Sequence, residues 1–236
     1  MTKLNYLENT YLFESEAQVI ETWKNDFWEY IILDETIFYP QGWGQPSDIW
    51  EIIFSENIFE VTKTMLDEKW IVFHYWEYCR DIPCGYPEKD STVRLKINSK
   101  NRIKNAKNHT AWHLLDIATK NIWLELIARK WFHFDTGCYV EYSWIYNVEQ
   151  KEEILKKLNL EINKLISQNL KINVEKNLEW NSPEGKTFRK VSFKNYKNNW
   201  CGCGWTHLNS IWELEKVEIT NIKNKKWNCK ISYKVL

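Results

Sequence analysis

The chain is predicted to be an α+β protein, and three observations carry the prediction. Residues 4–80 hold short β-branched or aromatic runs divided by polar breaks; two later segments place apolar residues at helical spacing; and alternating, strand-like stretches recur around both. At 236 residues the chain has room for one large or two small domains with a sizeable core.

Taken in order, Tyr11–Glu14, Val19–Glu21, Tyr30–Leu33, Ile52–Phe54 and Ile71–Tyr75 are expected strands, and their short spacing predicts a small barrel or sandwich. Residues 38–48 are dense in Gly and Pro and form a tight loop. Residues 81–87 have the composition of a linker, which sets a domain boundary near 85: a β domain over 1–85 and an α+β core with an antiparallel sheet over 86–236. Val93–Ile97 alternates like a strand and leads into a helix from about Asn101 to Lys120. Cys138–Tyr142 is a further strand. Ile154, Leu158, Ile162, Leu165 and Ile166 then recur at helical spacing, and the acidic residues Glu149, Glu152 and Glu153 at the start suit the helix dipole. Strands over 171–175, 189–193, 215–219 and 229–233 complete the chain.

No apolar run approaches the roughly 20 residues that span a bilayer, so no membrane segment is expected. A strand-like N-terminus rather than a signal peptide predicts a cytoplasmic protein with reduced cysteines. Cys79 and Cys84 are better explained as packed thiols than as a second metal half-site. The net charge of zero argues against indiscriminate binding of polyanions. Its distribution is uneven, because residues 91–115 contain no acidic side chain but carry Arg94, Lys96, Lys100, Arg102, Lys104 and Lys107. A basic run leading into the first helix predicts a phosphate-rich partner.

That helix carries His109-Thr110-Ala111-Trp112-His113, with two imidazoles one turn apart on the same face. Downstream, Cys203-Gly204-Trp205-Thr206-His207 offers a thiolate and a third imidazole at the same spacing. His109, His113, Cys203 and His207 together make four donors, the number a tetrahedral zinc takes, and a thiolate with imidazoles suits zinc better than calcium or magnesium.

The motifs H-T-A-x-H-L-L, C-G-x-T-H-L and F-Y-P-Q-G-x-G-Q-P-S-D, at 109–115, 203–208 and 38–48, resemble the editing domain of alanyl-tRNA synthetase. The length, without an aminoacylation domain, resembles its free-standing relatives, the AlaX-type alanyl-tRNA editing proteins, in the longer form that has the N-terminal glycine-rich-loop domain. The threonyl-tRNA synthetase editing domain shares related His and Cys motifs, but the G-x-G-Q loop favours the alanine system. The resemblance implies a β-barrel domain followed by an α+β editing core. It implies zinc at His109, His113, Cys203 and His207, with Gln45 in the substrate pocket and Thr36 in contact with the misattached amino acid. It also implies hydrolysis of serine, and in some members glycine, from tRNA(Ala). A zinc-stabilised tRNA-binding module and a decayed editing domain are the alternatives; the intact ligand set argues against decay.

One departure has a pattern. Trp43, Trp50, Trp112, Trp205 and Trp212 stand where the family has glycine, in a chain with 15 Trp and only 7 Gly. Average usage of Gly is about 7% of residues. The surplus and the deficit explain each other if the source genome reads UGA as glycine, and glycine is expected at 43, 112 and 205.

Overall fold

The computed structural model describes residues 1–24, 29–42, 44–76, 85–124, 126–177, 188–196 and 201–236. Cys79, Cys84, Trp43 and most of the expected linker at 81–87 lie outside the described residues. Two compact units are present, Met1–Lys104 and Asn105–Leu236.

The first unit contains β1 (Lys3–Leu4), β2 (Glu14–Lys24), β3 (Glu29–Leu33), β4 (Glu35–Thr36), β5 (Trp50–Phe54), β6 (Asn57–Leu66), β7 (Val72–Trp76) and β8 (Thr92–Ile97). Six of them close a barrel in the order β2-β3-β7-β6-β5-β8, and every neighbouring pair is antiparallel. Closure removes the exposed edges that an open sheet leaves. Alternation fills the interior: Val93, Leu95 and Ile97 of β8 join Val19, Ile31, Leu33, Ile52, Phe59 and Val61 in one core, while Arg94 between them points to solvent. The boundary read from sequence fell near 85; β8, at 92–97, pairs with both β2 and β5 and completes the barrel.

β6 escaped the sequence reading. Its pairing with β7 shifts register between Val61 and Lys63, so the inward residues Phe59, Val61 and Thr64 are not evenly spaced. A bulge of this kind breaks the period of two on which strand recognition depends.

Within the barrel wall, His74 of β7 is fully buried. Its Nδ1–H donates to the carbonyl of Ile31 (3.1 Å), since a carbonyl only accepts. The bare Nε2 then accepts from the hydroxyl of Thr36 at 2.8 Å. Burial, partly offset by the Ile31 hydrogen bond, lowers the His74 pKa from 6.5 to about 4. The unfolded chain therefore takes up a proton below about pH 6.5 that the folded protein refuses until about pH 4. The contribution to stability is full above the unfolded value and is lost as pH falls through this window, amounting to roughly 3 kcal/mol. Urea unfolding at pH 7 and pH 4.5 should show this loss, and His74→Gln should diminish it. An equal pH dependence in the variant would refute the assignment.

Helix α1 spans Ser99–Asn121. Asn98 caps it, its side-chain oxygen accepting from the Asn101 amide (3.1 Å) and its carbonyl from Arg102 (2.9 Å). The second unit adds β9 (Ala128–Phe132), β10 (Cys138–Tyr142), α2 (Lys151–Ser167), β11 (Ile172–Asn177), β12 (Phe188–Phe193), β13 (Cys201–Gly202), β14 (Val217–Lys225) and β15 (Asn228–Val235). An antiparallel sheet runs β14-β15-β10-β9, and a smaller one runs β11-β12-β13. All five apolar residues expected to form the stripe of α2 are buried. The helix packs on β14, where Asn159 accepts from the Ile219 amide and donates to its carbonyl. Among the described residues, no helix is long and apolar enough to cross a membrane.

Candidate metal centre

Two local motifs build the centre. One turn of α1 sets His109 and His113 on a common face, and the segment after β13 brings Cys203 and His207 against it. Thr110 ties the two together, its hydroxyl oxygen accepting from the Leu208 amide at 3.3 Å. Arg189 of β12 holds the second segment through the carbonyls of Cys203 (Nε, 3.3 Å) and Trp205.

All four side chains are buried, and their donor atoms lie within 4.8 Å of one another. His109 Nε2 is 3.0 Å from His113 Nε2 and 3.2 Å from Cys203 Sγ; His207 Nε2 is 3.1 Å from the same sulfur. A tetrahedral zinc bound at about 2.0–2.1 Å to nitrogen and 2.3 Å to sulfur holds its donors roughly 3.3–3.7 Å apart. Three of the donor pairs lie slightly closer than that and all lie within 4.8 Å, so small shifts of the side chains would let the cluster hold a metal ion.

Electrostatics point the same way. Burial first, then the neighbouring imidazoles, hold the His109 pKa well below the ordinary histidine value. His207 is lowered by burial, then by His113 and Arg189. These neutral rings turn lone pairs toward one point. In the free cluster burial raises the Cys203 thiol pKa, reinforced by Cys201. A bound cation would reverse this, because a coordinating thiol is deprotonated.

Two neighbours escaped the sequence reading. Cys201 places its sulfur 3.5 Å from His113 Nδ1. His133 is fully buried, its ring 5.1 Å from that of His109. The Tyr233 hydroxyl donates to the Asn108 carbonyl (2.8 Å) and accepts from His133 Nδ1–H (2.7 Å). No motif marks His133; only the pairing of distant strands brings it here.

The remaining expected site residues belong to the first unit or to α1. Thr36 is fully buried, donates to His74 and accepts from the Phe38 amide at 3.0 Å. Gln45 is also fully buried, at the bridge between Gly42 and Gln45, next to Gly44 with φ 95°. Of the basic run, Arg94, Lys100 and Lys104 are exposed. Lys96 pairs with Glu14 (3.4 Å) and Lys107 with Glu215 (2.8 Å). Arg102 departs from the expectation of a phosphate contact. It is fully buried, with its guanidinium engaged by Asp48 and by the carbonyls of Thr10 and Ile37.

No family model matches the chain. The alanyl-tRNA editing protein AlaX-M of Pyrococcus horikoshii is 30% identical over 218 residues, covering 92% of this chain and 90% of that protein. AlaX-L of the same organism is 25% identical over 249 residues, covering 97% of this chain. The alanine–tRNA ligase of Methanosarcina acetivorans is 29% identical over 181 residues. The chain spans 56% of the AlaX-L protein and 18% of that ligase. With AlaX-M matched along nearly its whole length, the chain belongs to the AlaX-type alanyl-tRNA editing proteins.

Proposed function

We propose that this protein hydrolyses the ester joining a misattached amino acid, serine or glycine, to tRNA(Ala), with zinc held by His109, His113, Cys203 and His207. The convergence of those four buried donors carries the proposal. Water adds to the ester carbonyl, and the products are the free amino acid and the ribose hydroxyl of the tRNA. Zinc supplies positive charge that can polarise a carbonyl or lower the pKa of water. His109, held neutral by burial, offers one ring nitrogen and His113 a second, and Arg189 fixes the segment bearing Cys203. The Thr36 hydroxyl donates its hydrogen bond to His74, so toward a seryl hydroxyl it acts only as an acceptor. Gln45 can pair with the same group. Alanine lacks that hydroxyl, and a site built to pair with it discriminates strongly.

One observation favours a second reading, a zinc-stabilised tRNA-binding module: four protein donors complete a tetrahedron, as in structural zinc sites. Deacylation separates the two. Seryl-tRNA(Ala), glycyl-tRNA(Ala) and alanyl-tRNA(Ala) should be offered to the chain as written and with glycine at the family's glycine positions. Release of serine with alanine spared is expected; release by neither form leaves the binding module.

Arg94, Lys96, Lys100, Lys104 and Lys107 are proposed to meet tRNA phosphates. Changing the exposed Arg94, Lys100 and Lys104 to Gln should weaken tRNA binding and reduce the slope of log K against log salt by about 1 per lost contact. An unchanged slope would make the run ordinary solvated surface.

A further inference from the structure

The backbone bears on the tryptophan surplus independently of any resemblance. Among the described residues, nine non-glycine residues have φ above zero, and three of these are tryptophans: Trp50 (148°), Trp70 (61°) and Trp123 (65°). The other six, Ser55, Asp90, Asn169, Asn195, Glu215 and Lys226, are polar. A bulky side chain is an outlier there, whereas glycine enters freely.

Each position also has the setting that calls for glycine. Trp123 follows the end of α1, with the Leu124 amide on the Thr119 carbonyl (2.9 Å) and the Trp123 amide on that of Lys120 (3.0 Å). This is the Schellman arrangement, whose left-handed residue is usually glycine. Its indole is 92% exposed. Trp70 closes the turn between β6 and β7: its amide bonds the Asp67 carbonyl at 3.1 Å and its φ is left-handed, the place of glycine in a hairpin with a bulge. Trp50 lies in β5 at a φ that glycine adopts at no steric cost.

Two further tryptophans lie against the metal centre. The Trp205 ring stacks on His109 at 4.6 Å and 28°, and the Trp112 ring lies 4.2 Å from that of His113. Both are buried.

We propose that the protein made in its native host carries glycine at 50, 70 and 123, where the backbone requires it, and by the same codon at 112 and 205, where loss of two indoles opens space beside the four donors. Assigning that space to the aminoacyl end of the substrate rests on the function proposed above; the residue assignment does not. UGA read as glycine accounts for all five positions, and it places flexible backbone where the turns and the helix end need it.

The codons and peptide mass spectrometry of the host protein test this. UGA codons, and peptides carrying glycine at all five positions, are expected. Tryptophan at 50, 70 or 123 overturns the reassignment; tryptophan at 112 or 205 overturns the opened site. A second test uses recombinant protein as written. Trp70→Gly and Trp123→Gly should each raise the melting temperature by about 2–4 °C through relief of left-handed strain. Trp76→Gly should lower it, since Trp76 packs on Phe59 and donates to Glu29. A fall at both 70 and 123 overturns the proposal. None of these readouts involves deacylation, so failure of the functional proposal leaves them intact.

Discussion

His113→Ala and Cys203→Ala proteins are expected to lose bound zinc and at least about a hundredfold in deacylation of seryl-tRNA(Ala). The size follows from what weaker lesions do: altering only the hydrogen-bond partner of a metal ligand typically costs 10–100-fold in affinity or activity. Removing a ligand takes away the donor itself. At this centre all four donors are buried, so the lost donor is not simply replaced from bulk solvent. The chemistry of the donors gives a graded form of the test. Cys203→Ser keeps the shape but offers a hard oxygen for a soft thiolate, and should retain some metal with reduced affinity. Metal content by plasma mass spectrometry should be read beside single-turnover deacylation, using the chain with glycine at 112 and 205. Circular dichroism would report whether the fold persists. One zinc per chain with undiminished deacylation in Cys203→Ala would overturn both the ligand set and the metal's role.

The centre was legible because both half-sites are local. His109 with His113, and Cys203 with His207, are each four residues apart, so their motifs survive without knowledge of the fold. The α2 stripe was legible for the same reason, since its period is written in adjacent turns. What depends on long-range pairing was not. His133 reaches the cluster through Tyr233, 100 residues away. β6 was hidden by a bulge that only its partner strand reveals. Arg102 lies in a basic run and looked like its neighbours, yet the Asn98 cap sets its place in the first turn of α1, where it meets Asp48 from 54 residues upstream. Charge composition identifies a run of cations; it does not tell which of them faces inward.

The Arg102–Asp48 pair therefore predicts a stability effect rather than a binding one. Arg102 is fully buried and Asp48 nearly so. Arg102 Nε lies 3.0 and 3.2 Å from the two carboxylate oxygens, Nη1 donates to the Thr10 carbonyl at 2.9 Å, and Nη2 reaches Ile37 and Asp48. Asp48 also accepts from the Tyr39 amide at 2.7 Å, which closes the loop that carries Gln45. Asp48→Ala leaves a buried guanidinium without its counter-charge, and breaking such a pair costs about 3–5 kcal/mol. That is a large share of the roughly 5–15 kcal/mol that stabilises a typical domain. Arg102→Met should cost a similar amount, because it strands the carboxylate instead. The double variant Asp48→Leu/Arg102→Met removes both charges and should lose markedly less than the sum of the single changes, as contacting residues are not additive. Urea unfolding of the three variants measures these differences directly. Salt dependence of tRNA binding should remain that of the parent in any variant that stays folded. A loss below about 1 kcal/mol in both single variants would place the pair among ordinary exposed ion pairs, and a reduced salt slope in Arg102→Met would return Arg102 to the phosphate-binding run.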